Sequence, residues 1–247
     1  MIVDAHTHWW SRRGESPPDP SAWVARARRH GVTHAVVLPT LGLLHDGSLR
    51  CDHDIIAEAA TRSGGMMLPF CTAQPWEPEE ALAEVERCLR DLHFCGIKFH
   101  PWLQGASVST AAMDEICALA AQYDVPMLFH DGTPPFSLPA QIGLLARRHP
   151  RVRIILGHCG LLEHWREALA VLEAAPNLWG CLCGPHAGAM RELLRRCDTT
   201  RLLWGSDVGF GEDDFYPYRL GLLHELGVSR ALVEQILADN PKRIFGL

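Results

Sequence analysis

The sequence predicts an α/β chain closed into a single-domain (β/α)8 TIM barrel over residues 1–247. Three observations carry that expectation. Eight short apolar runs recur along the chain, at Ile2–Ala5, His34–Leu38, Met66–Cys71, Gly96–Phe99, Val125–Phe129, Val152–Leu156, Leu178–Leu182 and Leu202–Trp204. They are near-continuously hydrophobic rather than alternating, as strands covered on both faces must be. Helix-periodic segments separate them, which implies parallel pairing through right-handed crossovers, and eight strands is the number that closes such a barrel.

The first run leads directly into His6-Thr7-His8, and the Pro-rich stretch from Ser16 to Pro20 reads as the loop behind it. Arg26 to Arg29 and Arg147-Arg148 fall in helical patterns as solvated faces. Pro78–Leu92 is the clearest helix, with Ala81, Leu82, Val85, Leu89 and Leu92 on one stripe and Glu79, Glu80, Glu84 and Glu86 mostly off it. Pro78 suits a first helical position, and the acidic residues behind it suit the positive end of the helix dipole. Thr110–Tyr123, Leu138–Arg148, Leu162–Glu173 and Met190–Arg196 follow the same pattern. Ser229–Ala238 reads as a closing helix with Ser229 as N-cap, running into Asp239-Asn240-Pro241. No phosphate-cradling glycine motif follows the first strand, which argues against a doubly wound open sheet.

A hydrophobic content of 47% with 21% charged residues is ordinary for a globular domain, and a net charge of −6 argues against a nucleic-acid partner. The nine cysteines are odd in number and contain no C-x-x-C pair, so they are expected as free, mostly buried thiols in a reducing compartment. No secretory leader pattern opens the chain and no apolar run approaches the ~18 residues of a membrane span. A cytoplasmic protein acting on a small molecule is the expectation.

Barrel enzymes draw their active residues from the C-terminal ends of the strands. His6 and His8 stand there on the first strand, spaced i and i+2 so that both rings reach one side. Lys98 and His100 end the fourth strand, His130 the fifth, His158 the sixth and Asp207 the eighth. Five of the fourteen histidines thus share one rim. Imidazole and carboxylate together are the donor set of zinc and related divalent ions. Asp4, two residues before His6, is expected either to orient a ligand or to satisfy loop amides.

The ordered set Asp4-Ala5-His6-Thr7-His8, Lys98-Phe99-His100-Pro101, His130, Gly157-His158-Cys159-Gly160, Gly205-Ser206-Asp207 and the ending Asn240-Pro241-Lys242-Arg243-Ile244-Phe245-Gly246-Leu247 resembles the amidohydrolase superfamily. Within it, the resemblance is to the amidohydrolase-related (amidohydrolase-2) branch, which holds lactone hydrolases and aminocarboxymuconate-semialdehyde decarboxylase. It implies that His6, His8, His130 and Asp207 bind one divalent metal, Zn²⁺ by default, that acidifies water. Asp207 is then the base and His158 the group that polarises the substrate carbonyl or stabilises charge on its oxygen. Lys98 and His100 are open to two roles, holding a substrate carboxylate or, with Lys98 carboxylated, bridging a second ion. A homodimer is expected by the same resemblance.

Trp9, Trp10, Trp76, Trp102 and Phe210, with Arg12 and Arg13, are candidate pocket residues for a planar or cyclic acid, Trp9 and Trp102 foremost, and His186 is a candidate substrate contact on the rim. The remaining histidines (His30, His34, His45, His53, His93, His149, His164 and His224) are assigned to surfaces or helix ends. The expected activity is hydrolysis of a lactone, amide or related bond. The alternatives are non-oxidative decarboxylation and a catalytically silent metal-binding barrel. Nucleophilic catalysis by Cys159 is disfavoured, because neighbours on a strand point to opposite sides.

Overall fold

The computed structural model describes residues 1–9, 17, 19–39, 49–209 and 215–247. Eight strands pair in chain order: β1 (Ile2–His8), β2 (Val32–Leu38), β3 (Met67–Cys71), β4 (Gly96–Phe99), β5 (Met127–Phe129), β6 (Ile154–Leu156), β7 (Leu178–Cys181) and β8 (Leu202–Leu203). Successive pairings are parallel throughout. The ring closes where the Ala5 amide donates to Trp204 O at 3.0 Å and Thr7 bridges Val208 in parallel.

Helices alternate with the strands: α1 (Pro20–Arg29), α2 (Leu49–Arg62), α3 (Pro78–Arg90), α4 (Ala111–Gln122), α5 (Pro139–Arg148), α6 (Trp165–Ala174), α7 (Ala187–Arg196), α8 (Tyr216–Glu225), α9 (Arg230–Glu234) and α10 (Asn240–Phe245). The expected N-cap Ser229 accepts from Leu232 N, and Thr110 caps α4 in the same way, accepting from Met113 N. Successive strand positions divide between two apolar layers. Met67, Ile97, Met127, Phe129, Ile154 and Leu156 pack under helix residues such as Val85, Leu89 and Ile116. Leu68, Phe70, Leu128, Ile155 and Leu203 fill the barrel interior with Ile244 of α10. This two-sided burial is why the strands lack polar alternation.

Three expectations change. Pro20 is not loop but the first residue of α1, where its missing N–H costs nothing and Asp19 caps the following turn, accepting from Ser21 N at 3.0 Å; Ser16 and Pro18 lie outside the described residues. The closing helix does not run unbroken through Ala238: it widens into a π-helical turn at Gln235–Asp239 before α10. Pro241 has no amide to donate to the preceding turn, and Asn240 is pinned by its side chain to Thr199 O and Leu202 O, both at 2.7 Å, so the wider turn absorbs the mismatch. His53 is not at a surface: it is fully buried on α2, a helix whose polar composition hid its inward face.

All nine cysteines are free, and all but Cys51 and Cys95 are buried. Among the described residues no helix is long and apolar enough to cross a membrane.

Candidate active site and metal centre

Strands β1 and β8 assemble the centre of the rim. Asp207 Oδ1 stands 3.5 Å from both His6 Nε2 and His8 Nε2, so three donors from opposite ends of the chain converge on one point. The i, i+2 spacing on β1 brings the two imidazoles to the same side. Asp207 follows β8 in the left-handed region (φ 61°), a conformation Asp tolerates better than most residues, and its amide donates to His6 O at 2.8 Å. Gly209, at φ 129°, is obligatory: a Cβ there would lie 1.8 Å from His8 O. Beneath the pair, the buried Asp4 carboxylate accepts the amides of His6 (3.1 Å) and Ser206 (3.0 Å) and the Ser206 hydroxyl (2.5 Å). Of the two openings foreseen for Asp4, the structure shows it satisfying backbone amides, those of His6 and of Ser206, the residue before Asp207.

The protonation of this cluster suits a cation. His6 Nδ1 lies 3.1 Å from Gly157 O, and a carbonyl only accepts, so Nδ1 carries the proton and Nε2 is bare. That Nε2 is buried and has no hydrogen-bond partner. Burial, reinforced by Lys98, holds protonation of His6 well below the usual range, and burial likewise lowers that of His8. Burial works against ionisation of Asp207, but the rim around it, with His8 as a hydrogen-bond partner, outweighs burial and holds the carboxyl below its ordinary value. Two neutral imidazoles and one carboxylate, with an orphaned nitrogen aimed at the carboxylate, fit a divalent ion.

The other rim residues come from β4 to β6. Lys98 lies between Ile97 and Phe99 of the outer layer and so points into the barrel; it is buried, and burial lowers its ammonium to about 8 against the pull of Asp207. His100 stacks on His130 with ring centroids 3.7 Å apart and planes within 10°. His130 packs edge-on to His158 at 4.6 Å, and His158 lies 4.6 Å from His6. The rim thus carries a continuous line of imidazoles from His100 to His8, whose ring is 5.5 Å from that of His6. His130 Nε2 is 3.1 Å from Thr133 Oγ1, outside the tight convergence of His6, His8 and Asp207.

Other expected contacts have different surroundings. Trp9 is buried in the layer between strands and helices. Trp102 is 55% exposed, 6.2 Å from the His100 ring. His186 is the N-cap of α7, its Nδ1 accepting from Ala189 N at 3.2 Å. Cys159 is fully buried at φ 45°, with burial raising its thiol well above the ordinary value, which removes it as a nucleophile. Trp10, Arg12, Arg13, His45 and Phe210 lie outside the described residues.

Three further residues, to which the sequence assigned no catalytic or ligand role, support the rim. Asp131 accepts the amides of His158 and Gly160. Gln104 accepts the His100 amide at 2.8 Å and donates to Ala73 O at 2.7 Å. Cys183 lies 3.2 Å from His158 Nδ1. For Asp131 and Gln104 the signal available was position beside a rim histidine: Asp131 follows His130 directly, and Gln104 lies four residues beyond His100.

A barrel with imidazole and carboxylate donors at this rim defines a metal-dependent α/β-barrel enzyme. The amidohydrolase family model (Amidohydro_2) matches residues 3–247, and the chain belongs to that family, whose members use a divalent metal. It is 29% identical over 242 residues to an L-fucono-1,5-lactonase of Burkholderia ambifaria, covering 83% of this chain and 79% of that protein. In fold it is similar to 4-oxalomesaconate hydratase from Rhodopseudomonas palustris (TM-score 0.79, 14% identity, 100% of this chain and 96% of the other). It is similar also to 5-carboxyvanillate decarboxylase from Novosphingobium aromaticivorans, complexed with manganese and 4-hydroxy-3-methoxy-5-nitrobenzoic acid (TM-score 0.74, 14% identity, 100% and 96%).

Proposed function

We propose that this enzyme is a metal-dependent hydrolase that opens a lactone of a small, cyclic, hydroxylated acid. The observation that carries the reading is the bare, unpartnered His6 Nε2 held 3.5 Å from the Asp207 carboxylate. His6, His8 and Asp207 are assigned as ligands of one divalent ion, with His130 joining at the expense of its hydrogen bond to Thr133. Zn²⁺ is the first assignment, and Mn²⁺ fits the same donors. When bound, such an ion supplies Lewis acidity to a carbonyl oxygen and acidifies water.

The chain's own residues supply the rest. Asp207 is assigned as the base that takes a proton from the attacking water and returns it to the leaving alkoxide; ring opening needs nothing else to balance. His158 stands beside it to respond to charge on the substrate oxygen. Lys98 is assigned to a substrate carboxylate or hydroxyl, and Trp102, exposed beside His100, to the mouth of the pocket. The likeness to a sugar lactonase along most of both chains supports a lactone as the substrate class.

The test is an assay of metal-loaded protein against 1,5-lactones of sugar acids and against hydroxybenzoates. Acid release from a lactone, lost by about 10²- to 10⁴-fold in Asp207→Asn, supports the assignment. Carbon dioxide from the benzoates without acid release from lactones replaces it with decarboxylation, and no turnover of either class leaves a silent barrel. Metal analysis near one ion per chain supports the mononuclear site; near two brings forward a carboxylated Lys98.

A further inference from the structure

We propose that Cys183 is a positioning residue that holds His158 as its Nδ1–H tautomer, leaving Nε2 as the ring's one acceptor. Cys183 follows β7, is fully buried, and belongs to no ligand or base assigned above. Its sulfur lies 3.0 Å from Gly157 O, 3.2 Å from His158 Nδ1 and 3.7 Å from His6 Nδ1, with the Cys181 thiol as a further hydrogen-bonding neighbour. The first two are too close for bare sulfur against bare oxygen or nitrogen, so a proton lies in each. A thiol has only one proton and a carbonyl has none. The thiol proton therefore goes to Gly157 O, and the proton between sulfur and His158 belongs to the nitrogen.

The backbone closes off the alternative. Gly157 O already accepts from His6 Nδ1 at 3.1 Å; with the thiol, both of its lone pairs are used. Turning the thiol toward His158 instead would leave sulfur pressed against a bare carbonyl. The packing keeps this arrangement in place: a Cβ on Gly157 would meet Phe129 O at 2.6 Å and His6 Cε1 at 3.1 Å, and one on Gly184 would meet His158 O at 2.3 Å. One carbonyl and one sulfur thus set the tautomers of two rim histidines from different strands.

The consequence deepens the hydrolase reading and rests on it. A neutral His158 in this tautomer presents no N–H to a substrate oxygen. It accepts a proton or binds a cation first, and donates to a carbonyl oxygen only as imidazolium. The tautomer itself is a property of the chain and holds whatever the substrate.

The experiment uses metal-free, ¹⁵N-histidine-labelled full-length protein and long-range ¹H–¹⁵N correlation at neutral pH, with His158 assigned by its loss in His158→Gln. Wild type is expected to show a protonated Nδ1 and a bare Nε2. Cys183→Ala is expected to mix the tautomers and, in metal-loaded protein, to lower kcat on the lactone about 10- to 100-fold with KM little changed. Cys183→Ser, which keeps a donor and acceptor, is expected to restore part of both. Cys117→Ala, which removes a buried thiol from α4 far from the rim, controls for packing loss and leaves both readouts unchanged. A wild-type His158 protonated on Nε2, or a Cys183→Ala spectrum identical to wild type, overturns the proposal. Should Cys183→Ala not fold, the wild-type spectrum still decides the tautomer. Absence of lactone turnover would sink the hydrolase reading while leaving this one standing.

Discussion

Asp131 Oδ1 accepts the backbone amide of His158 at 2.6 Å, and Oδ2 of the same carboxylate accepts that of Gly160 at 2.5 Å. The residue after one rim histidine therefore holds the turn that carries the next. That turn needs holding, because Cys159 and Leu161 both take left-handed backbone angles (φ 45° and 55°), which side chains bearing a Cβ resist. Asp131 is fully buried, and the charge-assisted bonds to two amides offset the strain.

Asp131→Ala is accordingly expected to destabilise the protein by about 2–6 kcal/mol, since it leaves two buried amides unpaired at roughly 1–3 kcal/mol each. Asp131→Asn, with one good acceptor left, is expected to cost about half as much. Urea unfolding at neutral pH measures both; an Asp131→Ala midpoint equal to wild type would refute the account.

Gln104→Leu removes the acceptor of the His100 amide and the strut to Ala73 O while nearly preserving volume. His100 then loses its mooring against His130. The expected result is a fall in kcat/KM of about tenfold, equivalent to about 1.4 kcal/mol, with the fold retained by circular dichroism. Unchanged kinetics would show that the strut serves stability alone.

A pH effect is expected from a cluster outside the rim. Glu84 on α3 lies 2.7 Å from His53 Nδ1, and Arg87 donates to both its oxygens at 2.6 and 2.8 Å. Because Thr72 N donates to His53 Nε2 at 3.1 Å, Nδ1 carries the proton and donates to Glu84. Burial would raise the Glu84 pKa, but the Arg87 and His53 bonds outweigh it and lower it from 4.5 to about 2. A depressed carboxyl contributes its full stability above the unfolded value and loses it as pH falls toward the folded one. The loss expected by pH 3 is about 2 kcal/mol. Glu84→Gln should start less stable at pH 7 and show a flatter acid limb in urea midpoints taken at pH 7, 4 and 3. Parallel limbs for the two proteins would exclude Glu84 as the source.

Removal of divalent ions is expected to lower stability, because an ion that binds only the folded chain at about 100-fold its Kd contributes about 2.7 kcal/mol. Thermal melts with and without chelator read the difference in wild type. In His6→Ala the gap should shrink to near zero; a gap of wild-type size would place the ion elsewhere.

The eight strands and the better-patterned helices were legible because local burial leaves a local signature. Runs such as Ile154–Leu156 are covered on both faces and so carry apolar side chains continuously. The stripe on Pro78–Arg90 repeats every turn. The rim residues were legible for a similar reason: fold class puts strand ends at one face, so His6, His8, Lys98, His130, His158 and Asp207 could be grouped without coordinates. α2 and α8 left weaker traces; few α8 residues are buried, and α2 buries Asp52 and His53 among its apolar positions.

Tertiary structure alone decided what depends on atoms from distant segments. Nothing local says that Trp9 belongs to the outer core, that His186 spends its ring on an N-cap, or that His53 is enclosed by Glu84 and Cys88. The same holds for the proton positions on the rim, where Gly157 O and the Cys183 sulfur face rings from two other places in the chain. Periodicity records which side of an element is dry. The partner of a given nitrogen is settled only when separate strands close to within hydrogen-bond distance.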